Sequence, residues 1–229
     1  TIKILCRNKY FILITLAFAV IYTSLGLTGG SRIYYAKYVL GDEMLNSTMT
    51  MFNYIPTILT IMLIPVFTKR FGKIKALFVG FLFYAAGLVL EIAGPVNLPM
   101  IYTGLVLQGI GHAALYSCLF AIVGDVVDYS EWKDGIREEG ITYSVTSFGQ
   151  KIGTGLGTAA LGWILAAGHY DGTAAVQSAS AIFAIKGLFL YLPLVITVIV
   201  LIIWYLFMGI DKIYPTVRKE LDERREKAE

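Results

Sequence analysis

Six stretches of this chain, at approximately 10–31, 44–67, 74–94, 98–124, 143–168 and 181–210, run apolar for twenty or more positions with scarcely a charge. Polar residues collect in the short segments between them and in the tail at 211–229. Crossing roughly 30 Å of hydrocarbon takes about 20 apolar residues in a helix, so the pattern predicts an all-α membrane protein of six transmembrane helices. Nearly every residue falls in a span or a turn, so the chain reads as one polytopic domain with no soluble module attached. Pro56 and Pro65 interrupt the second stretch and Pro193 the sixth, while Gly26, Gly29 and Gly30 loosen the end of the first. Prolines are tolerated in membrane helices where neighbouring groups satisfy the freed carbonyls.

Charge then orients the spans. With the amino terminus inside, the cytoplasmic side holds Lys3, Arg7, Lys9, Lys69, Arg70, Lys73, Lys75, Lys133, Arg137 and the basic residues of the tail. The outer side holds Arg32, Lys37 and Lys186. This asymmetry predicts both termini in the cytoplasm of a cell membrane. The aromatic run "RIYYAKY" at 32–38 suits an interfacial belt at the outer face. The tail reads as a solvated helix.

Composition agrees and excludes several classes. Hydrophobic residues make up 57% of the chain, charged residues 15%, and mean hydropathy is +0.69, outside the range of soluble domains. The basic residues sit at membrane edges, which argues against a nucleic-acid partner. Cys6 and Cys118 fall near the start of the first span and inside the fourth, where they cannot meet as a disulfide. Two histidines far apart, with no acid–histidine cluster inside the membrane, give no catalytic constellation, so an enzyme is not expected. An aquaporin-type channel would need two N-P-A half-helices; the nearest triplet, Asn97-Leu98-Pro99, is a turn. The opening "TIKILCRNKYF" carries no initiator Met and reads as cut from something longer.

The fifth stretch, "ITYSVTSFGQKIGTGLGTAALG" at 141–162, carries the chemistry. Gly149, Gly153 and Gly157 recur every four residues as one smooth ridge, which lets a second helix approach closely. Ser144, Ser147, Lys151, Thr154 and Thr158 follow helical spacing on a neighbouring face, extended by Thr146 and Gln150. Lys151 lies about eight residues, ~12 Å, into the span. A charge so deep costs on the order of 2.5–3.5 kcal/mol on insertion scales. Snorkelling suits a lipid-facing surface near a helix end, whereas a polar face at this depth points to a functional or ion-paired lysine. The ridge and the polar face together call for packing against a partner bundle. In the fourth span Gln108, His112 and Tyr116 recur every four residues among Gly104, Gly109 and Gly111, suggesting a cavity shared with the fifth. His112 reads equally as a packing residue or a ligand. Asn53 with Thr50 and Thr57 makes a modest polar stripe on the second span, and Glu91 reads as interfacial.

Between the fourth and fifth spans lies "GDVVDYSEWKDGIREEG" at 124–140, where eight of seventeen residues are charged. Its place is a cytoplasmic link. Asp125, Asp128 and Glu131 stand one helical turn apart at the end of a span, which suits ion pairs with a basic partner surface that can be made and broken.

The run from Gly124 to Gly157 resembles the signature of the glycoside–pentoside–hexuronide:cation symporters, in its D-V-V-D-Y-x-E-(aromatic)-K…R…Y-S…K-x-G pattern. "YYAKYVLGD" at 34–42 is similar to that family's first outer loop in the carboxyl-terminal half, and "TKRFGKIK" at 68–75 to a degenerate turn motif of the major facilitator superfamily. The resemblance covers the whole chain as helices seven to twelve of a twelve-helix carrier. It implies an intramembrane lysine at Lys151 between sugar and cation sites, polar sugar neighbours at Thr146 and Ser147, and an aromatic shaping the sugar pocket at Tyr116. It implies a cytoplasmic gate at Asp125, Asp128, Glu131 and Arg137. Gln150 joins the substrate set through the polar face. Sodium or a proton would be the coupling ion, held mainly by an amino-terminal six-helix half, so no metal site and no organic cofactor are expected here. The expected partners are that half, a small sugar or glycoside, and the bilayer. A lipid or other solute carrier of the same superfamily, or a six-helix module without transport by itself, is the alternative.

Overall fold

The structure is a computed structural model that describes residues 7–135 and 137–227; Lys3, Cys6 and the end of the tail lie outside the described residues. Those residues form α1 (Lys9–Tyr38), α2 (Leu45–Ile61), α3 (Ile64–Phe71), α4 (Lys73–Ala93), α5 (Leu98–Asp134) and α6 (Glu139–Ala167). After them come α7 (Ala179–Lys186), a π-helical turn (Gly187–Tyr191), α8 (Leu192–Phe207) and α9 (Gly209–Glu226). No strand occurs among the described residues.

Four segments are long and apolar enough to cross a membrane: α1, α4, α5 and the continuous stretch from α7 to α8. The pair α2 and α3, bent by 55°, makes a fifth if it is one broken span. The expected six is therefore not reached by length and apolarity. The shortfall is α6, whose 29 residues give it roughly 43 Å of length but whose glycines, threonines, Gln150 and Lys151 dilute its apolar character.

Local chemistry sets the helix ends and bends. Asn8 caps α1 by accepting from Tyr10 N at 3.0 Å, and its Nδ2 donates to Ser130 Oγ at 2.8 Å, fastening the start of α1 to α5. Asn97 caps α5, with Pro99 in the first turn. The bend between α2 and α3 falls just before Pro65, which opens the new segment, whereas Pro56 sits within an unbroken α2. The π-helical turn stands directly before Pro193, where a widened turn accommodates the missing donor.

The charged stretch at 124–140, expected as a cytoplasmic link with its first acids at the end of a span, is mostly helical. Helix α5 continues through Asp134 and stops at Gly135, whose φ of 67° is left-handed. Only 135–138 links α5 to α6.

Packing rests on two glycine seams. Helices α4 and α5 are antiparallel, and Gly87 faces Gly104 as Gly80 faces Gly111; both pairs are seven residues apart on their helices. A Cβ added at Gly111 would stand 2.6 Å from Gly80 O, and one at Gly104 2.7 Å from Gly87 O. The second seam is the ridge of α6. It lies along α1 in parallel, Gly153 against Ala19 and Gly157 against Thr23. The ridge is thus filled within this chain rather than by a partner bundle. Lipid tails are as apolar as leucine, so close backbone contact and interhelical hydrogen bonds carry this association.

Two apolar clusters fill the rest. One, around Tyr10, Phe18, Leu119, Trp204 and Phe207, lies toward the end that holds Lys73 and Asp125. The other, around Tyr35, Met49, Leu105 and Phe189, lies toward the opposite end. Two expectations change here. Tyr35 is buried, its hydroxyl donating to Pro95 O and its ring 4.4 Å from that of Phe189, so it packs internally rather than joining an interfacial belt. The tail helix α9 buries Ile210, Val217 and Leu221 instead of standing free in solvent.

Candidate functional site

Toward the end opposite the charged stretch, α1, α2 and α5 enclose a polar cleft of about 260 Å³. Arg32 from α1, Thr50, Asn53 and Tyr54 from α2, and His112 and Tyr116 from α5 line it. Each reaches the cleft through helical spacing: Leu25, Thr28, Gly29 and Arg32 share one face of α1, and Asn46, Thr50, Asn53 and Tyr54 one face of α2. Gly109 lets α2 approach closely, since a Cβ there would press on Asn53 O and stand 3.2 Å from Thr57 Oγ1. Thr57 Oγ1 donates to Gly109 O at 3.0 Å and Asn53 Nδ2 to Leu105 O at 3.2 Å. With its amide nitrogen spent on that carbonyl, Asn53 turns Oδ1 to His112 Nδ1 at 3.3 Å. Nδ1 is therefore the donor, and Nε2 of the neutral ring is left as an acceptor. The imidazole lies between the rings of Tyr84 and Tyr116, at 5.0 and 5.8 Å. Arg32 Nη1 donates to Thr50 Oγ1 at 3.2 Å, while its Nε is buried without a partner among the described residues. Tyr54 and Tyr116 stand at the mouth, half exposed.

Of the residues singled out in the sequence, Tyr116, His112, Asn53 and Thr50 meet in this cleft. Arg32, assigned to an outer belt, and Tyr54 were missed. The available signal was the i, i+3, i+4, i+7 register that joins Leu25, Thr28, Gly29 and Arg32.

The polar residues of α6 do not line the cleft. Lys151 is exposed on the chain surface and has no carboxylate within 4 Å among the described residues. Ser147 and Gln150 beside it are half-buried. Thr146 is fully buried, its hydroxyl shared between Thr142 O and Tyr143 O at 3.0 Å each, so it faces into the bundle and away from Lys151. Thr154 and Thr158 bond back to their own helix. Glu91, expected at an interface, is instead fully buried against Gly104 and accepts from Gln108 Nε2 at 2.7 Å.

At the charged end the acids are already partnered. Lys73 Nζ donates to both oxygens of buried Asp125, at 2.6 and 2.9 Å. Asp128 accepts from Arg137 at 3.0 Å and from Tyr214 of α9 at 2.9 Å. Glu131 accepts from Arg137 and, at 3.1 Å, from Arg225, and Arg137 also reaches Glu139. The hydrogen bonds that Arg137 donates to Glu131, then to Glu139 and Asp128, hold its guanidinium above its ordinary range. Asp211 of α9 accepts from Ile74 N and Lys75 N at 3.1 and 3.2 Å, closing the first turn of α4 beside Gly72, whose φ is 91°. Burial pushes the Asp211 carboxyl above its usual range despite those bonds. The expected gate set thus makes its pairs with this chain's own turn, link and tail.

Comparison with known proteins follows the same lines. The family described as MFS/sugar transport protein matches residues 1–212. The isoprimeverose transporter of Lactiplantibacillus pentosus is 30% identical, with 98% of this chain and 47% of that protein covered. A putative 2,3-dihydroxypropane-1-sulfonate exporter of Salmonella typhimurium is 31% identical, with 85% and 42% covered. The glucuronide carrier protein homolog of Escherichia coli is 26% identical, with 98% and 50% covered. The chain spans about half the length of the curated relatives it matches.

Proposed function

The chain belongs to the MFS/sugar transport protein family, and we propose that it supplies the carboxyl-terminal six-helix half of a cation-coupled sugar or glycoside symporter. It is a multi-pass membrane protein of a transporter family, not an enzyme. The observation that carries the reading is the polar cleft of Arg32, Asn53, His112 and Tyr116 open on the surface of an otherwise apolar bundle. Buried polar groups in a membrane protein turn toward protein or a wet cavity. A second half facing this one would close that cavity, as carriers place substrate near the midplane between repeats.

In this scheme both termini are cytoplasmic in the cell membrane, and α6 counts as a sixth span shielded from lipid by the facing half. Tyr116 offers the sugar an aromatic platform. Lys151, flanked by Ser147 and Gln150, faces the other half, where its ammonium meets the carboxylates that hold sodium or a proton. Thr146 supports that surface from beneath. Asp125, Asp128, Glu131 and Arg137 form the cytoplasmic lock, their internal pairs exchanging with the facing half as the cavity changes sides. Lys73, Tyr214 and Arg225 join that network by contact. Isoprimeverose and glucuronide appear in the names of relatives and suggest sugars of that size. The test is uptake of labelled monosaccharides, disaccharides and glycosides into proteoliposomes holding the complete carrier, driven by an imposed sodium or proton gradient. Accumulation above equilibrium of one sugar class is the expected result. No gradient-driven sugar accumulation, or movement of lipid in its place, would refute it.

A further inference from the structure

We propose that the turn joining α3 to α4 holds an anionic phospholipid, its phosphodiester in a basic cleft and one acyl chain in the apolar groove beside it. The inference goes beyond the transport reading and needs only the chain's place in a membrane. The cleft, of about 350 Å³, opens at the charged end between α3, the start of α4 and the start of α9. Five cations line it, Lys69, Arg70, Lys73, Lys75 and Lys212, against two acids, Asp125 and Asp211. Both acids are engaged. Asp125 accepts from Lys73 Nζ at 2.6 and 2.9 Å, and Asp211 from Ile74 N and Lys75 N at 3.1 and 3.2 Å. The Lys75 ammonium also lies within electrostatic reach of Asp211. No carboxylate stands within 4 Å of Lys69, Arg70, Lys75 or Lys212 among the described residues. With both acids counted in full, the lining still keeps a net positive charge. Such a lining suits a phosphodiester, which Arg70 can grip with two parallel donors while the lysines act as point charges.

The neighbouring surface makes the ligand a lipid rather than a free anion. A groove of about 210 Å³ runs between α3, α4 and α5, past Leu63, Phe67, Val79, Phe83 and Ile110, with no charged residue in its lining. It joins the cleft through α3. Phe67 lines the groove, Phe71 lines the cleft, and their rings lie 4.8 Å apart. The Arg70 guanidinium stands 5.4 Å from the centre of the Phe71 ring, which sets its charge at the junction. Along α4 the groove runs from Ala76 to Phe83, roughly 10 Å of helix. Helix α4 is long and apolar enough to cross the membrane and begins at Lys73, so the cleft lies at the interface and the groove at the depth of acyl chains. Leu63, Val66 and Phe67 are exposed on the α3 side of it. Positive charge at a membrane edge is enough to orient a span, but orientation calls for no apolar groove opening directly beneath the charges. Basic pockets between helices on the cytoplasmic side take anionic headgroups, and the proposed topology puts this end in that leaflet.

The experiment presents the complete carrier in detergent with equal amounts of phosphatidylglycerol and phosphatidylcholine of the same acyl chains. Bound lipid is counted by native mass spectrometry, so nothing in the readout depends on transport. Each basic residue near an anionic lipid is worth roughly fivefold in affinity. The wild type should hold phosphatidylglycerol at least about tenfold more tightly than phosphatidylcholine. The triple variant Lys69→Gln, Arg70→Gln, Lys75→Gln should weaken phosphatidylglycerol by roughly a hundredfold and leave phosphatidylcholine unchanged. All three side chains are exposed, so the variant should melt with the wild type. Val79→Trp fills the groove, leaves every charge in place and should also release the lipid. Glycerol 3-phosphate and inorganic phosphate carry the anion without acyl chains and should not compete at equal concentration. If the wild type shows no preference for phosphatidylglycerol, or the triple variant keeps it, the proposal is overturned. If Val79→Trp holds the lipid as the wild type does, or glycerol 3-phosphate displaces it, the cleft takes a soluble anion and the lipid assignment is overturned. Each of these failures leaves the transport reading standing.

Discussion

Replacing Gly157 by alanine should loosen α6 from α1, and the size of the effect follows from what the new methyl would touch. A Cβ at Gly157 collides with Thr23 O and comes within 2.9 Å of Leu27 N, both backbone atoms of α1. No side chain can rotate away, so the helices must part by several tenths of an ångström over the whole seam. Overpacking of this kind costs about 1–3 kcal/mol. Gly155, two residues earlier, has nothing within 4 Å of the position its Cβ would take. Alanine there removes the helix penalty of glycine, up to about 1 kcal/mol. The two substitutions make the same chemical change on the same helix and differ only in the neighbour. Cys118, a buried free thiol, supplies the assay: in a Cys6→Ser background a maleimide dye reacts as the bundle opens on heating. A domain of this size shifts by about 2–4 °C per kcal/mol. Gly157→Ala should therefore melt several degrees below wild type, and Gly155→Ala at or above it. Equal melting temperatures for the two variants would refute the parallel α1–α6 contact.

At the charged end, Lys73→Met should cost roughly 1–3 kcal/mol by stranding the buried Asp125 carboxylate, and Asp125→Asn should recover part of it in a double-mutant cycle read by chemical unfolding; additive effects would dissolve the pair. Asp211→Ala should cost about 0.5–2 kcal/mol through the lost cap on α4, whereas Asp211→Asn should be neutral or stabilising at pH 7. The sign follows because burial raises the folded carboxyl above its unfolded value: the folded state holds the proton more tightly, so the charged form opposes folding as pH rises through the carboxylate range. The Asn advantage should therefore shrink on acidification, and an advantage that grows would contradict the burial. Lys151→Met in the complete carrier should abolish gradient-driven sugar accumulation while leaving membrane insertion intact; wild-type accumulation would make Lys151 a snorkelling lysine. Single cysteines in the segments 42–46 and 133–135 should react with an impermeant reagent from opposite faces of the membrane, and labelling of both from one face would invert the proposed topology.

Hydropathy reads one helix at a time, and this sets what the sequence disclosed. The long apolar stretches became α1, α4, α5 and the segment from α7 to α8, because twenty apolar residues in a row leave the backbone no other satisfied state in lipid. Lys151 and the ridge of Gly149, Gly153 and Gly157 were visible as spacing, yet spacing alone could not say that α1 of the same chain fills the ridge. Asp125 and its neighbours were visible as charges. Their partners were not, since Lys73 is 52 residues away and the tail contacts are farther still. The failures at Glu91 and Arg32 have one cause. Each sits near the outer end of its own helix, where a charge is cheap if the side chain reaches water, and each is instead turned inward by its neighbour across a seam. For Glu91 that seam was readable: glycines seven apart in both α4 and α5, Gly80 with Gly87 and Gly104 with Gly111, fix an antiparallel register in which Glu91 meets Gly104 and Gln108. Small residues at matching intervals in consecutive spans therefore state which faces touch, and a charge on a touching face cannot be interfacial. The same rule applied to Gly109 brings Asn53 against α5, and with Asn53 the side of α2 that Arg32 shares. The cleft follows from pairing helices by their glycines, a step that comes after finding the helices and before assigning any of their charges to water.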